Sequence, residues 1–427
     1  MLGMLHRSRS RQARQPASRL ALAIVVALGL AACSPPAGQA PAARTTPAAG
    51  TQPAVAGTAA PSGETIKVGV VVPLSGRLAG SGELVLRGYR LATEQANQAG
   101  GVNGKKVDLV VEDDRSDPTT AANATEKLIT QDRVLAILGS YGTAASVTSS
   151  DVAEKHHVPN LVGHCSEARC ATRNTRYFFD INSGGPAREQ VVSDFVAEIL
   201  KPETVSLVHT SDAWTKEGTE TVSRTLSERG IAVKDNLEFP AAAPDISAQI
   251  TKLKASQADA AVVYAYDADL ATFMRQTQEL AVNPKYILFP ADLTTSKAAA
   301  GIDFDSVLMA DEWFLGFPGE ANARYEQLYR DTYPQDVPDR FAVKAYTAAE
   351  VLVDALKRSG SLQPEAIRDA LAATNMPTPM GETRFKPDGQ RIGTNVVFQI
   401  QENKPIILYP ADKAAQGATL RTWRGFR

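Results

Sequence analysis

Short apolar runs alternate with amphipathic stretches through most of the chain after residue 64. The runs are short and rich in Val, Ile and Leu, which is typical of strands buried on both faces of a parallel sheet. The predicted strands are 66–72, 107–111, 134–138, 158–162, 205–209, 258–264 and 286–289. The segments between them are long enough for helices, so the pattern predicts strand–helix–strand units with right-handed crossovers.

Helix start and stop signals agree with this division. Asp117 precedes a proline and is suited to cap the next helix, while Gly100 and Gly360 follow amphipathic stretches. The predicted helices are 82–99, 118–129, 341–359 and 364–374. Two doubly wound α/β lobes are the natural interpretation. About 360 residues follow the first 64, which is too many for one compact core and suits two domains.

The first 63 residues differ from the rest, because they contain no acidic residue. Several arginines precede an apolar run at 20–32, which is the layout of a secretory signal peptide. A retained membrane anchor is the alternative, but the run is shorter than the roughly 20 apolar residues that a spanning helix needs. We therefore predict a signal peptide at 1–32 and an exported protein.

The apolar run ends in Leu30-Ala31-Ala32-Cys33, which resembles the lipobox of bacterial lipoproteins. The resemblance implies acylation of Cys33, and more than one acyl chain at that residue would give a stable membrane anchor. The alternative is an ordinary cleaved signal that leaves a free thiol. Residues 34–63 are almost wholly Ala, Pro, Gly, Thr and Ser, so 33–64 is predicted to be a disordered tether.

Net charge and cysteine content limit the classes of partner and site that the sequence supports. Removal of five arginines with the signal changes the net charge from −2 to −7, which argues against nucleic acid as a partner. Cys165 and Cys170 are the remaining cysteines, and an oxidising compartment favours a disulfide, with two free thiols as the alternative. A zinc site is not expected, because no further cysteines accompany the nearby histidines.

Motifs in the mature chain resemble those of the leucine/isoleucine/valine-binding protein family. They run in family order from about residue 65 to 409 and are specific only as a series. The segments that carry the resemblance are 66–76 (IKVGVVVPLSG), 88–89, 97–105 (NQAGGVNGK), 112–118 (EDDRSDP), 137–140, 346–349, 380–381, 384–385 and 388–389.

The resemblance implies a type I periplasmic-binding fold, in which two lobes joined by three crossovers hold a solute in the cleft between them. The expected crossovers lie near 180–183, 309–312 and 386–394. Lobe 1 would then comprise 65–182 and 311–386, and lobe 2 would comprise 183–310 and 387–427. Ligand sites of open α/β sheets lie at the carboxyl ends of strands.

In lobe 1, the resemblance places Thr143, beside Tyr141, at the ligand's carboxylate, where a helix N-terminus favours an anion. Thr143 could instead be a plain N-cap. In the next loop Ser166 would keep a hydroxyl and His164 would offer its carbonyl, although His164 could be a solvated loop residue. This loop departs from the family's Pro-Ala-Ala-Thr-like pattern, which implies a pocket of different shape.

In lobe 2, the resemblance implies that Trp214 and Tyr266 cover the ligand, although Trp214 could serve lobe packing instead. Asp292 aligns with the family's acidic residue that binds the α-ammonium group, with a helix N-cap as its alternative. Ser81 and Phe341 fall at positions of the pocket wall.

These features predict a lipid-anchored periplasmic protein that delivers a small molecule, most simply an amino acid, to an ABC permease. We expect a monomer with no cofactor or metal. An enzyme is not expected, because the third glycine of a dinucleotide fingerprint, the P-loop lysine and the G-x-S-x-G elbow are all missing. Open alternatives are a ligand-sensing accessory lipoprotein and a non-amino-acid solute such as an amide, a urea-type compound or an aromatic carboxylate.

Overall fold

The computed structural model describes residues 62–166, 170, 175–296, 299–423 and 425. The described residues belong to one compact unit, Gly57–Arg427. The predicted signal peptide, Cys33 and nearly all of the predicted tether lie outside the described residues. Among the helices that are described, none is long and apolar enough to cross a membrane.

Two sheets form the framework of the described chain. The first is wholly parallel, with strand order β2-β1-β3-β4-β5, and the second has the order β14-β13-β10-β9-β8-β6-β7. Their strands are β1 Ser62–Val72, β2 Lys105–Asp113, β3 Ile137–Gly139, β4 Asn160–Val162, β5 Phe178–Asp180, β6 Thr204–Thr210, β7 Ala232–Phe239, β8 Ala260–Tyr264, β9 Tyr286–Phe289, β10 Leu308–Asp311, β13 Val396–Gln401 and β14 Lys404–Tyr409. A separate antiparallel pair is formed by β11 Asn375–Thr378 and β12 Gly381–Arg384.

Helices connect and cover these strands. They are α1 Ala79–Gln98, α2 Pro118–Thr130, α3 Thr143–Lys155, α4 Gly185–Phe195, α5 Ala213–Glu228, α6 Ser247–Ser256, α7 Asp267–Glu279, α8 Glu320–Thr332, α9 Arg340–Arg358 and α10 Pro364–Ala372, with a π-helical turn at Val196–Leu200. Asp117 caps α2 as predicted, because its side chain accepts a hydrogen bond from the backbone N–H of Thr120. Two largely parallel sheets whose strands are connected by helices confirm the predicted α/β fold class.

The second sheet is not parallel throughout. β13 lies antiparallel to β10 and to β14. Glu402 and Asn403 join β13 to β14 with positive φ angles of 55° and 61°, as in a tight two-residue hairpin. This edge was not predicted, because its strands lack the long apolar runs of the buried parallel strands.

Helices α1 and α9 pack closely beside the first sheet. A Cβ added at Gly88 would lie 2.2 Å from the carbonyl oxygen of Ala342, so only glycine permits this approach. Tyr89 and most of the apolar face of α9 are buried in the same core. The close contact holds the N-terminal turn of α9 near the carboxyl ends of the strands.

The chain passes between the two sheets three times, after β5, after β10 and between β12 and β13. Backbone hydrogen bonds join the first and third crossovers, because Asp180 donates to Gly389 and Arg391 donates to Asp180, both at 2.9 Å. The second crossover joins them through the Glu312 carboxylate, which accepts from the N–H of Ser183 at 2.6 Å.

Candidate functional site

A small cavity lies where the carboxyl ends of strands from both sheets meet. Its volume is ≈ 50 Å³, and we call it the inner cavity. The residues that lie at or soon after strand ends and line it are Tyr141, Gly142, Thr143, His164, Ser166, Asn182, Trp214, Ala265, Tyr266, Pro290, Ala291 and Asp311. Arg188 of α4 and Arg340 and Lys344 of α9 complete the lining. This convergence is the position that open α/β sheets use for ligands.

Hydroxyl and amide groups lie together on the first-sheet side of the inner cavity. Thr143 is the first residue of α3, and its Oγ1 accepts a hydrogen bond of 3.2 Å from the backbone N–H of Ser166. The Ser166 hydroxyl in turn accepts from the Asn182 side chain at 3.2 Å. Gly142, not Thr143, is the N-cap of α3, so the alternative that Thr143 only caps the helix is wrong. A helix N-terminus with two adjacent hydroxyls suits a carboxylate.

The positive side chains of the inner cavity all have carboxylate partners. Lys344 pairs with Asp311 at 3.1 Å, Arg188 pairs with Glu189 at 2.8 Å, and Arg340 pairs with Asp267. Burial alone would raise the pKa of Asp311, but Lys344 and Arg340 outweigh it and hold that pKa below its usual value. Asp311 is therefore ionised, and its carboxylate is already paired with Lys344.

Aromatic rings form the remaining walls of the inner cavity. The His164 ring packs against Tyr141 at 5.1 Å and Phe341 at 5.7 Å between centroids, and it is only 8% exposed. The alternative that His164 is a solvated loop residue is therefore wrong. Burial, together with Lys344 and Arg340, lowers its pKa well below the usual value, so the imidazole is neutral.

Trp214 also lines the inner cavity and contacts Tyr264 at the end of β8 and Tyr266 just after it. Its ring is 5.4 Å from that of Tyr266 and 6.1 Å from that of Tyr264, and the Arg188 guanidinium lies 5.5 Å from it. Trp214 is only partly buried, and its Nε1 lacks a hydrogen-bond partner of good geometry among the described residues. Trp214 thus both packs on its own sheet and faces the cavity.

A second and larger cavity adjoins the first. Its volume is ≈ 280 Å³, and we call it the aspartate cavity because Asp267, Asp269, Asp292 and Asp339 line it. Tyr266 and Arg340 belong to both cavities, so the two share a wall.

Comparison with known proteins fits this arrangement. Residues 65–405 match the sequence model of the periplasmic binding protein family. The chain belongs to this family.

Related proteins of known name bind small molecules. The leucine-, isoleucine-, valine-, threonine- and alanine-binding protein of Pseudomonas aeruginosa is 26% identical over 331 residues, which cover 76% of this chain and 87% of that protein. The predicted resemblance to the leucine/isoleucine/valine-binding proteins is thereby confirmed.

Solved structures share the fold of this periplasmic binding protein. LivJ of Streptococcus pneumoniae, a branched-chain amino acid transporter substrate-binding protein in complex with isoleucine, superposes with a TM-score of 0.73 at 23% identity, covering 81% of this chain and 100% of LivJ. A solute-binding protein of an ABC transporter from Rhodopseudomonas palustris, in complex with 3,4-dihydroxybenzoic acid, gives 0.73 at 20% identity, covering 83% of this chain and 99% of that chain.

The structure divides the sequence-predicted site residues of this periplasmic binding protein between the two cavities. The inner cavity contains Tyr141, Thr143, His164, Ser166, Trp214 and Tyr266. The aspartate cavity contains Ser81, Asp292 and Phe341, again with Tyr266. Thr143 and Asp292, which were expected to hold the two ends of one ligand, therefore lie in adjoining cavities.

Asp292 is buried, with 1% exposure, and its two carboxylate oxygens differ. Oδ1 accepts hydrogen bonds from the backbone N–H and the hydroxyl of Thr294 at 2.8 and 2.7 Å, whereas Oδ2 has no partner among the residues that the structure describes. No helix begins at the described residues just after Asp292, so the bonds to Thr294 form a local turn and not the predicted alternative of a helix N-cap. Burial raises the pKa of Asp292 to about 6.

Sequence reasoning missed Asn182, Arg188, Asp311, Arg340 and Lys344 as lining residues of the inner cavity. Arg340 and Lys344 are four residues apart on α9, whose other residues nearby are mostly apolar and buried. Charged side chains at that spacing on an apolar helix were the available signal, because they share one face and need partners when buried.

Proposed function

We propose that this protein is the substrate-binding lipoprotein of an ABC importer and that it captures a small carboxylate-bearing solute, most simply an amino acid. The proposal depends chiefly on one observation. Thr143, the first residue of α3, lines the inner cavity between the two sheets, and its hydroxyl accepts a hydrogen bond from the backbone N–H of Ser166.

The ligand carboxylate would bind at Thr143 and Ser166. There it can accept from the free backbone N–H groups of the first turn of α3 and from the two hydroxyls. Arg188, Arg340 and Lys344 also line this cavity, each paired with a carboxylate of the protein. The His164 carbonyl would remain available as an acceptor.

The ligand's α-ammonium would bind at Asp292 in the aspartate cavity, beside Tyr266 and Arg340, which line both cavities. The unpartnered Oδ2 supports this role, because a buried carboxylate oxygen without a partner is costly and gains strongly from a cation. Trp214 and Tyr266 would cover the rest of the ligand, and Ser81, Tyr141 and Phe341 would complete the walls.

The two lobes, 65–182 with 311–386 and 183–310 with 387–427, would close on the ligand by rotation at the crossovers. Closure would give the permease a shape that it can distinguish from the open state. Acylated Cys33 and the tether at 33–64 would keep a monomeric clamp at the periplasmic face of the membrane. Binding and release alone would be its activity, with no catalytic step and no cofactor.

Isothermal titration calorimetry of the purified protein tests the proposal. The panel comprises neutral, acidic and basic amino acids, an amide, urea and benzoate. Thr143→Val should weaken the binding of the best ligand by about 10- to 100-fold, because a hydrogen bond to a charged group contributes about 1.5 to 3 kcal/mol. Thr148→Val is the matched control, because Thr148 also belongs to α3 but its hydroxyl donates to the carbonyl of Pro118 in α2, away from the cavity.

Asp292→Ala should weaken the binding of an amino acid by about 2 to 5 kcal/mol if the ammonium pairs with a buried carboxylate. Strong binding of benzoate or urea with no response to Asp292→Ala would refute the amino-acid assignment. Equal effects of Thr143→Val and Thr148→Val would refute the carboxylate site.

A further inference from the structure

The aspartate cavity contains more buried negative charge than a single α-ammonium needs. Asp269, Asp292 and Asp339 are 4%, 1% and 3% exposed. None of the three forms an ion pair with an arginine, lysine or histidine of the described chain. Three buried carboxylates that form no salt bridge with a described residue therefore line one cavity.

Asp339 resembles Asp292 in how its two oxygens are used. Its Oδ1 caps α9 by accepting from the backbone N–H groups of Phe341 and Ala342 at 2.8 and 3.0 Å, while Oδ2 has no partner in the described part of the chain. Asp269 accepts from the backbone N–H of Ala242 at 2.7 Å. In both Asp292 and Asp339 one oxygen is thus fixed by the protein and the other remains to receive a donor.

The arginines that line the aspartate cavity form their ion pairs with other carboxylates. Arg77 pairs with Asp212 at 2.8 Å, Arg87 pairs with Glu83 at 2.6 Å, and Arg340 pairs with Asp267. Each arginine is already matched by a carboxylate outside the set of three. The cavity is consequently electronegative and suits a cation that comes from the ligand.

The chemistry of the walls favours an organic cation. Among the described residues, no group of three or more His, Cys, Asp or Glu side chains could hold a metal ion. Tyr266, Phe341, Leu78 and Leu84 supply aromatic and apolar wall, against which an alkyl chain can pack and a cation can lie over a ring. The volume of ≈ 280 Å³ has room for several carbon atoms as well as the charged group.

We propose that the ligand is a basic amino acid, whose side-chain ammonium or guanidinium is held in the aspartate cavity by Asp339 and Asp269. This inference rests on the proposed function, because the α-carboxylate at Thr143 and the α-ammonium at Asp292 fix the near end of the ligand. The distal cation of the ligand then forms ion pairs with Asp339 and Asp269. Tyr266 and Arg340, which border both cavities, lie beside the connecting chain.

Pairs of ligands that differ mainly in the distal charge test this assignment on the wild-type protein. Calorimetry compares L-arginine with L-citrulline and L-lysine with L-norleucine. The cationic member of each pair should bind about thirtyfold more tightly or better, because a buried charge pair is lost in the neutral member.

A variant localises the effect. Asp339→Asn retains an N-capping side chain but removes its charge, so the protein should fold and lose most of its preference for L-arginine over L-citrulline. Asp117→Asn changes the capping residue of α2, whose side chain is not part of either cavity, and should keep the full preference.

The outcomes separate the two proposals. Binding of L-norleucine or L-citrulline as tightly as the basic amino acids would overturn the distal-cation site while leaving the amino-acid clamp intact. Binding of benzoate or urea, with no amino acid bound, would overturn both. A preference for basic amino acids that Asp339→Asn leaves unchanged would also contradict the assignment of the cation to Asp339.

Discussion

The buried carboxylate of Glu312 accepts a hydrogen bond of 3.0 Å from the guanidinium of Arg391. The two side chains are 1% and 3% exposed, and they belong to the second and third crossovers. Because the N–H of Ser183 in the first crossover also donates to Glu312, one carboxylate links all three connections between the lobes. The three chain segments that connect the two sheets are thus held together at a single buried carboxylate.

Removal of Arg391 should destabilise the protein strongly. Arg391→Met leaves Glu312 buried without its cation, and breaking such a pair costs about 3 to 5 kcal/mol. Urea unfolding followed by circular dichroism should therefore show a clearly lower midpoint. Arg421→Met is the control, because Arg421 pairs at the surface with Glu402, and exposed pairs contribute about 1 kcal/mol or less. Equal midpoints for the two variants would show that the crossovers do not depend on this pair.

Much of the fold could be predicted because burial on both faces of a parallel sheet leaves a continuous apolar run. Strand β9 was predicted at its observed bounds, and β1, β6 and β8 within two residues except at the start of β1. The short strand β3 was displaced, because Val134 and Leu135 are apolar but precede it. The burial of Val134 and the hydrogen bond from the N–H of Leu135 to the carbonyl of Lys67 come from tertiary packing, which periodicity does not reveal.

The candidate site was predictable only where it follows strand ends. Thr143, Ser166, Trp214 and Tyr266 come directly after predicted strands and do line the inner cavity. Arg188 and Lys344 reach it from helices far away in the sequence, so their position depends on helix packing and on ion pairs between distant residues. The separation of Asp292 from Thr143 by a shared wall likewise depends on three-dimensional packing.

Cys165 and Cys170 are joined in the structure, with Cα atoms 6.0 Å apart. Their loop begins beside Ser166, so reduction should loosen the carboxylate site as well as the fold. Closing a loop of this length contributes about 2 kcal/mol in the chain-entropy description. We expect non-reducing peptide mapping to find the linked peptides and dithiothreitol to weaken ligand binding. Two alkylatable thiols in freshly isolated protein would contradict the disulfide.

Cys33 should be the N-terminus of the mature protein and carry acyl chains. The expectation comes from the Leu30-Ala31-Ala32-Cys33 sequence and from the small and polar residues that follow it. Mass spectrometry of protein from the native membrane fraction should find a lipid-modified cysteine, and Cys33→Ser should release the protein from the membrane. A mature N-terminus at another residue, with the wild-type protein free in the periplasm, would contradict lipidation.

The stability of the ligand-free protein should depend on the protonation of Asp292. Burial raises its folded-state pKa to about 6, above the unfolded value of 3.8, so the folded protein holds this proton more tightly. The resulting stabilisation is complete below about pH 4 and is lost as the pH rises through 6. Asp292→Asn keeps the acceptor oxygen for Thr294 without the charge, and should raise the free energy of unfolding at pH 7.5 by about 1 to 3 kcal/mol.

At pH 4.5 that gain should largely disappear, because wild-type Asp292 is then protonated in the folded state. Urea unfolding of both proteins at the two pH values measures the difference directly, without contributions from the other carboxylates. Asp117→Asn should change stability in the opposite direction. Hydrogen bonds from Thr120 lower the pKa of Asp117, so the ionised Asp117 stabilises the folded protein only above its unfolded pKa, and the variant loses that stabilisation. An increase in the free energy of unfolding of Asp292→Asn that is the same at pH 4.5 and pH 7.5 would mean that the variant acts through packing. Asp292 would then not be a buried carboxylate that is charged at pH 7.5 and able to bind a cation.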